Sequence, residues 1–282
     1  MGYDVEGKRV LVTGASAGIG AAVARGMAER GAIVGICARR ADRLAEVLDD
    51  CQRHSPQSRS WVVDLADLDG VSSFALEADD ALGGIDVLVN NAGIPKRRKV
   101  QALTVEEVDA VMSLNYLSPV RLILALLPRM LARAAGGREP AHIVNISSVA
   151  ARLSPPGEAA YAASKAALSA FSECLAAELW DQPVDVHLIN PGVIDTELFE
   201  LPGNDPLLAT DIEPLPPALV ADLLVEQLDR GAFELYVPEW FRDVFAVKAG
   251  DIEGFIAGAA EYQRQREAEA GAEAGTGAAP ET

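Results

Sequence analysis

Residues 8–37 constrain the fold more than any other stretch of this chain. Lys8-Arg9-Val10-Leu11-Val12-Thr13 is a short apolar run ending at Gly14, the pattern of a strand buried in a parallel sheet. Gly14-Ala15-Ser16-Ala17-Gly18-Ile19-Gly20 follows, then an alanine-rich helix to about Arg30 that Gly31 closes, then a second run, Ala32–Cys37. Strand, glycine-rich turn, helix and strand at this spacing form a βαβ unit.

The alternation continues along the chain. The pattern predicts a helix at about 41–53, a strand at about 59–64, a helix to about Leu82 and a strand at Ile85–Asn90. Helices fill about 104–134, interrupted near Pro119 and Pro128, and a fifth strand covers Ala141–Ile146. The next helix carries Tyr161 and Lys165, and Val184–Asn190 is strand six. Residues 195–217 are proline-rich and irregular, and a helix at about 217–230 leads to a last strand, Glu234–Val237. The expected architecture is α/β: a single-domain, Rossmann-like, doubly wound parallel sheet of about seven strands with helices on both faces, over residues 1–240. Trp240, Phe241, Val244, Phe245, Ile252, Phe255 and Ile256 give 241–266 an amphipathic helical pattern, expected to pack on its own subunit or oligomer rather than on a partner or membrane. Residues 267–282 have no large apolar side chain and are expected to be disordered.

Composition narrows the partners. A formal charge of −18 over 282 residues argues against nucleic acid or an anionic membrane surface, which call for basic patches. Cys37, Cys51 and Cys174 are widely spaced, and His54, His142 and His187 show no ligand spacing, so no metal site is expected. No apolar run approaches the 18 residues of a membrane span, and Met1-Gly2 is followed by Glu6 where an acylation signal needs Ser or Thr. A cytoplasmic location is the expectation.

The glycine-rich turn sets backbone N–H groups and a helix N-terminus at the end of strand one, a seat for a pyrophosphate. At the end of strand two, a carboxylate would grip the ribose 2′-OH of NAD. The sequence there is Ala38-Arg39-Arg40, two guanidiniums suited to a phosphate. The expected cofactor is therefore NADP(H), with NAD(H) as the alternative.

Tyr161 and Lys165 lie one helical turn apart on one face. Bringing a phenol from a pKa of about 10 to about 7 takes roughly 4 kcal/mol. An ammonium at about 4–5 Å supplies about 3–4 kcal/mol at an effective dielectric near 20. The pair can form an acid/base.

Thr13-Gly-Ala-Ser-Ala-Gly-Ile-Gly20, Asn90-Asn91-Ala92-Gly93, Asn115, Ser148, Tyr161/Lys165 and Pro191-Gly192 with Thr196 occur in this order. Together, over about residues 5–240, they resemble the single-domain short-chain dehydrogenase/reductases. The resemblance implies that Tyr161 exchanges a proton with the substrate oxygen and that Lys165 lowers its pKa and binds the nicotinamide ribose. Of Ser147 and Ser148, the family's spacing selects Ser148 to orient the carbonyl, and Asn115 would help hold a water beside Lys165. Gly14, Ser16, Ala17, Gly18, Ile19 and Gly20 would cradle the pyrophosphate. Asp64 and Leu65 would border the adenine, and Asn91, Ala92 and Gly93 its ribose. Pro191, Gly192, Ile194 and Thr196 would hold the carboxamide end of the nicotinamide. One departure stands out: Ser16-Ala17 lacks the basic residue that many NADP-using relatives carry before Gly18.

Leu198, Phe199, Leu201, Leu207 and Leu208 favour a lipophilic ketone or secondary alcohol as substrate. Lys96-Arg97-Arg98-Lys99 is a basic cluster in an acidic chain; it either greets a CoA or acyl-carrier phosphopantetheine, making the protein a 3-oxoacyl reductase, or is a solvated loop. A non-catalytic NADP-binding regulator is the alternative of another class. The family's habit implies a homodimer or homotetramer.

Overall fold

The computed structural model describes residues 3–206 and 211–276. Leu207 and Leu208, the Met1-Gly2 start and residues 277–282 lie outside the described residues, as does the side chain of Phe199. Seven strands form one sheet: β1 (Arg9–Thr13), β2 (Ile33–Ala38), β3 (Arg59–Val62), β4 (Val87–Asn90), β5 (Ala141–Ile146), β6 (Val184–Pro191) and β7 (Glu234–Val237). Their order is β3-β2-β1-β4-β5-β6-β7, and every pairing is parallel. The helices are α1 (Gly18–Glu29), α2 (Ala41–His54), α3 (Leu68–Leu82), α4 (Val105–Met112), α5 (Ser118–Ala135), α6 (Ala150–Leu153), α7 (Ala159–Glu178), α8 (Pro217–Arg230), α9 (Phe241–Gly250) and α10 (Ile252–Thr276).

The apolar strand runs are explained by burial on both faces. Val10, Val12, Val34 and Ile36 point to a core shared with α1, α2 and α8. Leu11, Cys37 and Leu88 point the other way, to Phe74 on α3, Leu122 and Leu126 on α5 and Leu175 on α7. Buried Asp79 ties this second layer together: it accepts from Arg129 and Arg133 of α5, each at 3.0 Å, and from the Ile85 amide at 2.8 Å.

The long helical region breaks differently from the proline pattern. A π segment, Ser113–Leu117, separates α4 from α5, and Pro128 lies inside an unbroken α5. Pro119 has no N–H to offer the Asn115 carbonyl, so the α ladder fails just before it. The carbonyl that Pro128 leaves unpaired belongs to Leu124, which is exposed and open to water. The joined run Val105–Ala135 is also long and apolar enough, by composition, to cross a membrane, although no uninterrupted apolar run shows it. In the fold Leu122, Ile123, Leu126 and Met130 of this run are core residues.

α10 runs on through residues 267–276. Ala, Glu, Gln and Arg are strong helix formers, and same-face pairs such as Arg266–Glu269 at 2.9 Å and Gln263–Glu267 at 2.7 Å support the turn. The extension packs on its own chain. Phe241 lies against Gly192, whose hypothetical Cβ would come within 2.4 Å of the ring, and Lys248 donates to the Arg152 carbonyl at 2.7 Å.

Leu126, fully buried between α5 and the sheet, offers a direct check. Leu126→Ala is expected to lower stability by about 2–5 kcal/mol, read as an earlier urea midpoint with unchanged slope.

Candidate active site

The sheet order reverses between β1 and β4, the point at which ligands bind in open α/β sheets. Thr13, the last residue of β1, holds this point closed. Its hydroxyl accepts from the Asn91 amide at 2.9 Å and the Ala92 amide at 3.0 Å, and donates to the Val89 carbonyl at 3.3 Å. The Asn91 side chain returns a bond to the Thr13 carbonyl at 2.9 Å. Gly14 is in the left-handed region, φ +67°, and a Cβ on it would stand 2.7 Å from the Ala92 Cα. Only glycine fits there.

Above this junction opens a cleft of about 1160 Å³ at the carboxyl ends of the strands. Of the residues assigned from sequence to catalysis or to the cofactor, all but Gly20 and Asn115 line it. Gly20 lies behind the wall, where a Cβ would meet Asn91 Nδ2 at 2.4 Å and the Gly14 carbonyl oxygen at 2.6 Å. Its role is close packing of helix against strand. The start of α1 has no side-chain cap and no acidic residue in its first turn, leaving amide donors facing the cleft. This end fits a dinucleotide: a tight cradle that added carbons would fill, and guanidiniums of Arg39 and Arg40 at its edge. Arg39 leans toward Asp64, at 3.9 Å.

The other end of the cleft holds Ser148, Tyr161 and Lys165. Ser148 follows β5 and accepts from the Ala150 amide at 3.1 Å. Lys165, buried, donates to the Ile146 carbonyl at 2.8 Å, and its Nζ stands 6.0 Å from the Tyr161 ring centre. Burial draws the Lys165 ammonium down to about 8. The Tyr161 phenol is pushed up to about 12, chiefly by burial and then by the Glu158 carboxylate, while a hydrogen bond with Ser148 and the charge of Arg97 pull the other way. Lys165 is not among the groups that shift this phenol, and desolvation is the largest influence on it.

Asn115 sits on the π segment, fully buried. Its Oδ1 accepts from the Ile94 amide at 2.9 Å, and its Nδ2 donates to the Ile94 carbonyl and to Ser164 Oγ, both at 3.0 Å. The side chain thus laces the loop after β4 to α7, one residue from Lys165. Asn90 is likewise a brace, donating to Asn145 Oδ1 at 2.8 Å beneath the cleft.

The basic cluster is neither a free anion site nor a solvated loop. Lys96 and Arg98 both hold Glu107, at 3.1 and 2.7 Å, and both donate to the Gly203 carbonyl. Lys99 pairs with Glu267 of α10 at 2.8 Å. Arg97 turns inward; it is 5% exposed and donates from Nε to the Asp205 carbonyl at 2.9 Å. Four neighbouring cations thus clamp the rim of the cleft from three directions. Next to Glu267 on α10, Arg266 pairs with Asp211 at 3.5 Å and Tyr262 donates to the same carboxylate at 3.3 Å.

Sequence reasoning missed the individual places of Arg97, Glu158, Glu197 and the α10 residues. Their partners are distant in sequence, and only the charge density of residues 96–99 hinted at them.

Comparison with known proteins agrees with this geometry. The short chain dehydrogenase family model matches residues 8–205. The chain belongs to the short-chain dehydrogenase family. This is a family of oxidoreductases on a nucleotide-binding Rossmann-like fold. Dehydrogenase/reductase SDR family member 7B of Rattus norvegicus is 40% identical over 195 residues, spanning 67% of this chain and 58% of that protein. This chain thus matches little more than half the length of that relative. A fatty acyl-CoA reductase of Acinetobacter baylyi is 34% identical over 218 residues, 74% of this chain and 72% of that one. Among solved structures, a short-chain dehydrogenase/reductase from Burkholderia phymatum in complex with NAD superposes with TM-score 0.80 at 25% identity, covering 89% and 96% of the two chains. A short-chain dehydrogenase from Sphingobium yanoikuyae in complex with NADPH gives 0.76 at 26% identity, covering 89% and 95%.

Glu158, just before α7, also lines the cleft, and burial lifts its carboxyl to about 7 against the pull of Arg97. A folded value above the ordinary 4.5 means that the native state holds the proton more tightly. Stability from this group is complete below about pH 4.5 and is lost as pH rises through about 7. Glu158→Gln is therefore expected to gain about 1–3 kcal/mol on wild type between pH 5 and pH 8, read from urea titrations at both values.

Proposed function

We propose that this short-chain dehydrogenase is an NADP(H)-dependent oxidoreductase that interconverts a carbonyl and a secondary alcohol on a lipophilic substrate. The observation that carries the reading is that Ser148, Tyr161 and Lys165 share one cleft with a glycine-rich cradle edged by two arginines and no β2 carboxylate. The nicotinamide, when bound, supplies hydride to the carbonyl carbon or takes it from the carbinol carbon. Tyr161 gives its proton to the carbonyl oxygen as charge builds there, and Ser148 holds that oxygen by hydrogen bonding. Lys165 keeps positive charge below the phenol as the proton leaves. With its pKa pushed up to about 12, Tyr161 is protonated at neutral pH and set for carbonyl reduction. Asn115 is a positioning residue, fixing the loop of Ile94 and the turn of α7 next to Lys165. Arg39 and Arg40 select the 2′-phosphate. Ile94, Leu153, Leu198, Leu201 and Phe241 along the wall support an apolar substrate.

A second reading, reduction of an acyl thioester, draws support from the name of the Acinetobacter baylyi relative. The internal pairing of Lys96, Arg98 and Lys99 speaks against a CoA phosphate landing on them. Replacing all four residues 96–99 with Ala is expected to widen the mouth and to raise KM for apolar ketones and CoA thioesters alike. A rise confined to the thioester would favour the second reading.

The main test is loss of NADPH absorbance against a panel of apolar ketones, repeated with NADH. Tyr161→Phe is expected to lower kcat at least about 100-fold while NADPH affinity stays within about twofold. Retained turnover would remove Tyr161 from the proton transfer.

A further inference from the structure

Glu197 has no part in the reaction just described, yet it holds a strategic place. It opens the 3₁₀ turn Glu197–Glu200, at the head of the flap that brings Leu198 and Leu201 to the substrate side of the cleft. Its Oε1 lies 2.6 Å from Arg40 Nη2, and its Oε2 lies 2.5 Å from Arg43 Nη1. Arg40 also donates from Nε and Nη2 to Ser16 Oγ, at 3.2 and 3.0 Å. One carboxylate thus bridges two guanidiniums just past the end of β2, where β2 itself supplies no acid. Arg40, and then Arg43, hold this carboxyl below its usual range.

The three side chains are 32%, 42% and 48% exposed, and Glu197 Oε1, although buried, has no aligned hydrogen-bond donor among the described residues, so the pairs are individually weak. Such a bridge seats the flap yet is open to exchange. A phosphate monoester brings three acceptor oxygens and up to two charges, and it suits a guanidinium fork better than a single carboxylate does.

We propose that Glu197 is a coenzyme-sensing latch: it occupies Arg40 and Arg43 until the 2′-phosphate of NADP(H) takes Arg40 from it and frees the head of the substrate flap. NAD(H), which carries a hydroxyl at that position, leaves the latch shut. The proposal rests on the coenzyme reading above. It makes Glu197 a specificity-determining residue that acts against the phosphate-bearing coenzyme and couples the adenosine end of the cleft to the substrate end.

Two probes without a nicotinamide isolate the effect: adenosine 2′,5′-bisphosphate and 5′-AMP, titrated by calorimetry into wild type, Glu197→Gln and Glu197→Asp. Removing the competing charge is expected to tighten bisphosphate binding about three- to tenfold while AMP stays within about twofold. Glu197→Asp, which keeps the charge, is expected to stay near wild type. In the wild-type protein the bisphosphate, but not AMP, is expected to speed hydrogen exchange at residues 197–205. Equal changes for both nucleotides, no change for either, or unaltered exchange in the flap would overturn the latch. A wild type that binds both nucleotides equally, with no gain in Glu197→Gln, rejects the latch and leaves an NAD-type reading standing. A wild type that binds neither removes the coenzyme reading and the latch with it.

Discussion

The Thr13 hydroxyl is the joint on which the cleft depends. With one donor and two acceptor positions, it engages Val89, Asn91 and Ala92 at once. It thereby fixes the end of β1 to the end of β4 where the winding of the sheet reverses. Gly14 can approach Ala92 so closely only because that joint sets their separation. The glycine cradle, the loop of Asn91–Gly93 and, through Ile94, the Asn115 brace all take their positions from it. A site of this size needs its walls on rigid strands and its variable parts on loops, and here the division falls at the strand ends.

Much of this was legible in the sequence because a parallel sheet covered on both faces leaves a plain signature. Short apolar runs such as Val10–Thr13 and Ile143–Ile146 cannot alternate, since neither face meets water. The glycines and the Tyr161/Lys165 spacing were legible because each answers a local geometric demand. The residues that escaped notice obey no local rule. Glu197 meets Arg40 and Arg43 only because the chain has crossed the sheet and returned. The π segment at Asn115 follows from a proline four residues on, and a search for proline breaks places the fault at the proline itself. The helical span over residues 267–276 was not legible because a segment without apolar anchors reads as unstructured.

Tyr161 shows a different limit. The charge argument from its neighbour Lys165 was silent on burial, which only the fold supplies. Desolvation acts on both members of the pair, raising the phenol and lowering the ammonium, so each is driven toward its neutral form. Glu158 and Arg97 then act on the same phenol with opposite signs. Beside burial, the balance at the Tyr161 phenol is thus set by three side chains from three loops, Glu158, Ser148 and Arg97.

The rim has a consequence of its own. The strand-end floor is held by buried, neutral hydrogen bonds, whereas α10 is held at the mouth by Lys99–Glu267 and Arg266–Asp211, pairs with at least one partner well exposed to water. Dissolved ions screen the second kind of contact and hardly touch the first. The hold of α10 on the mouth therefore weakens as the salt of the surrounding solution rises, while the cavity behind it keeps its shape.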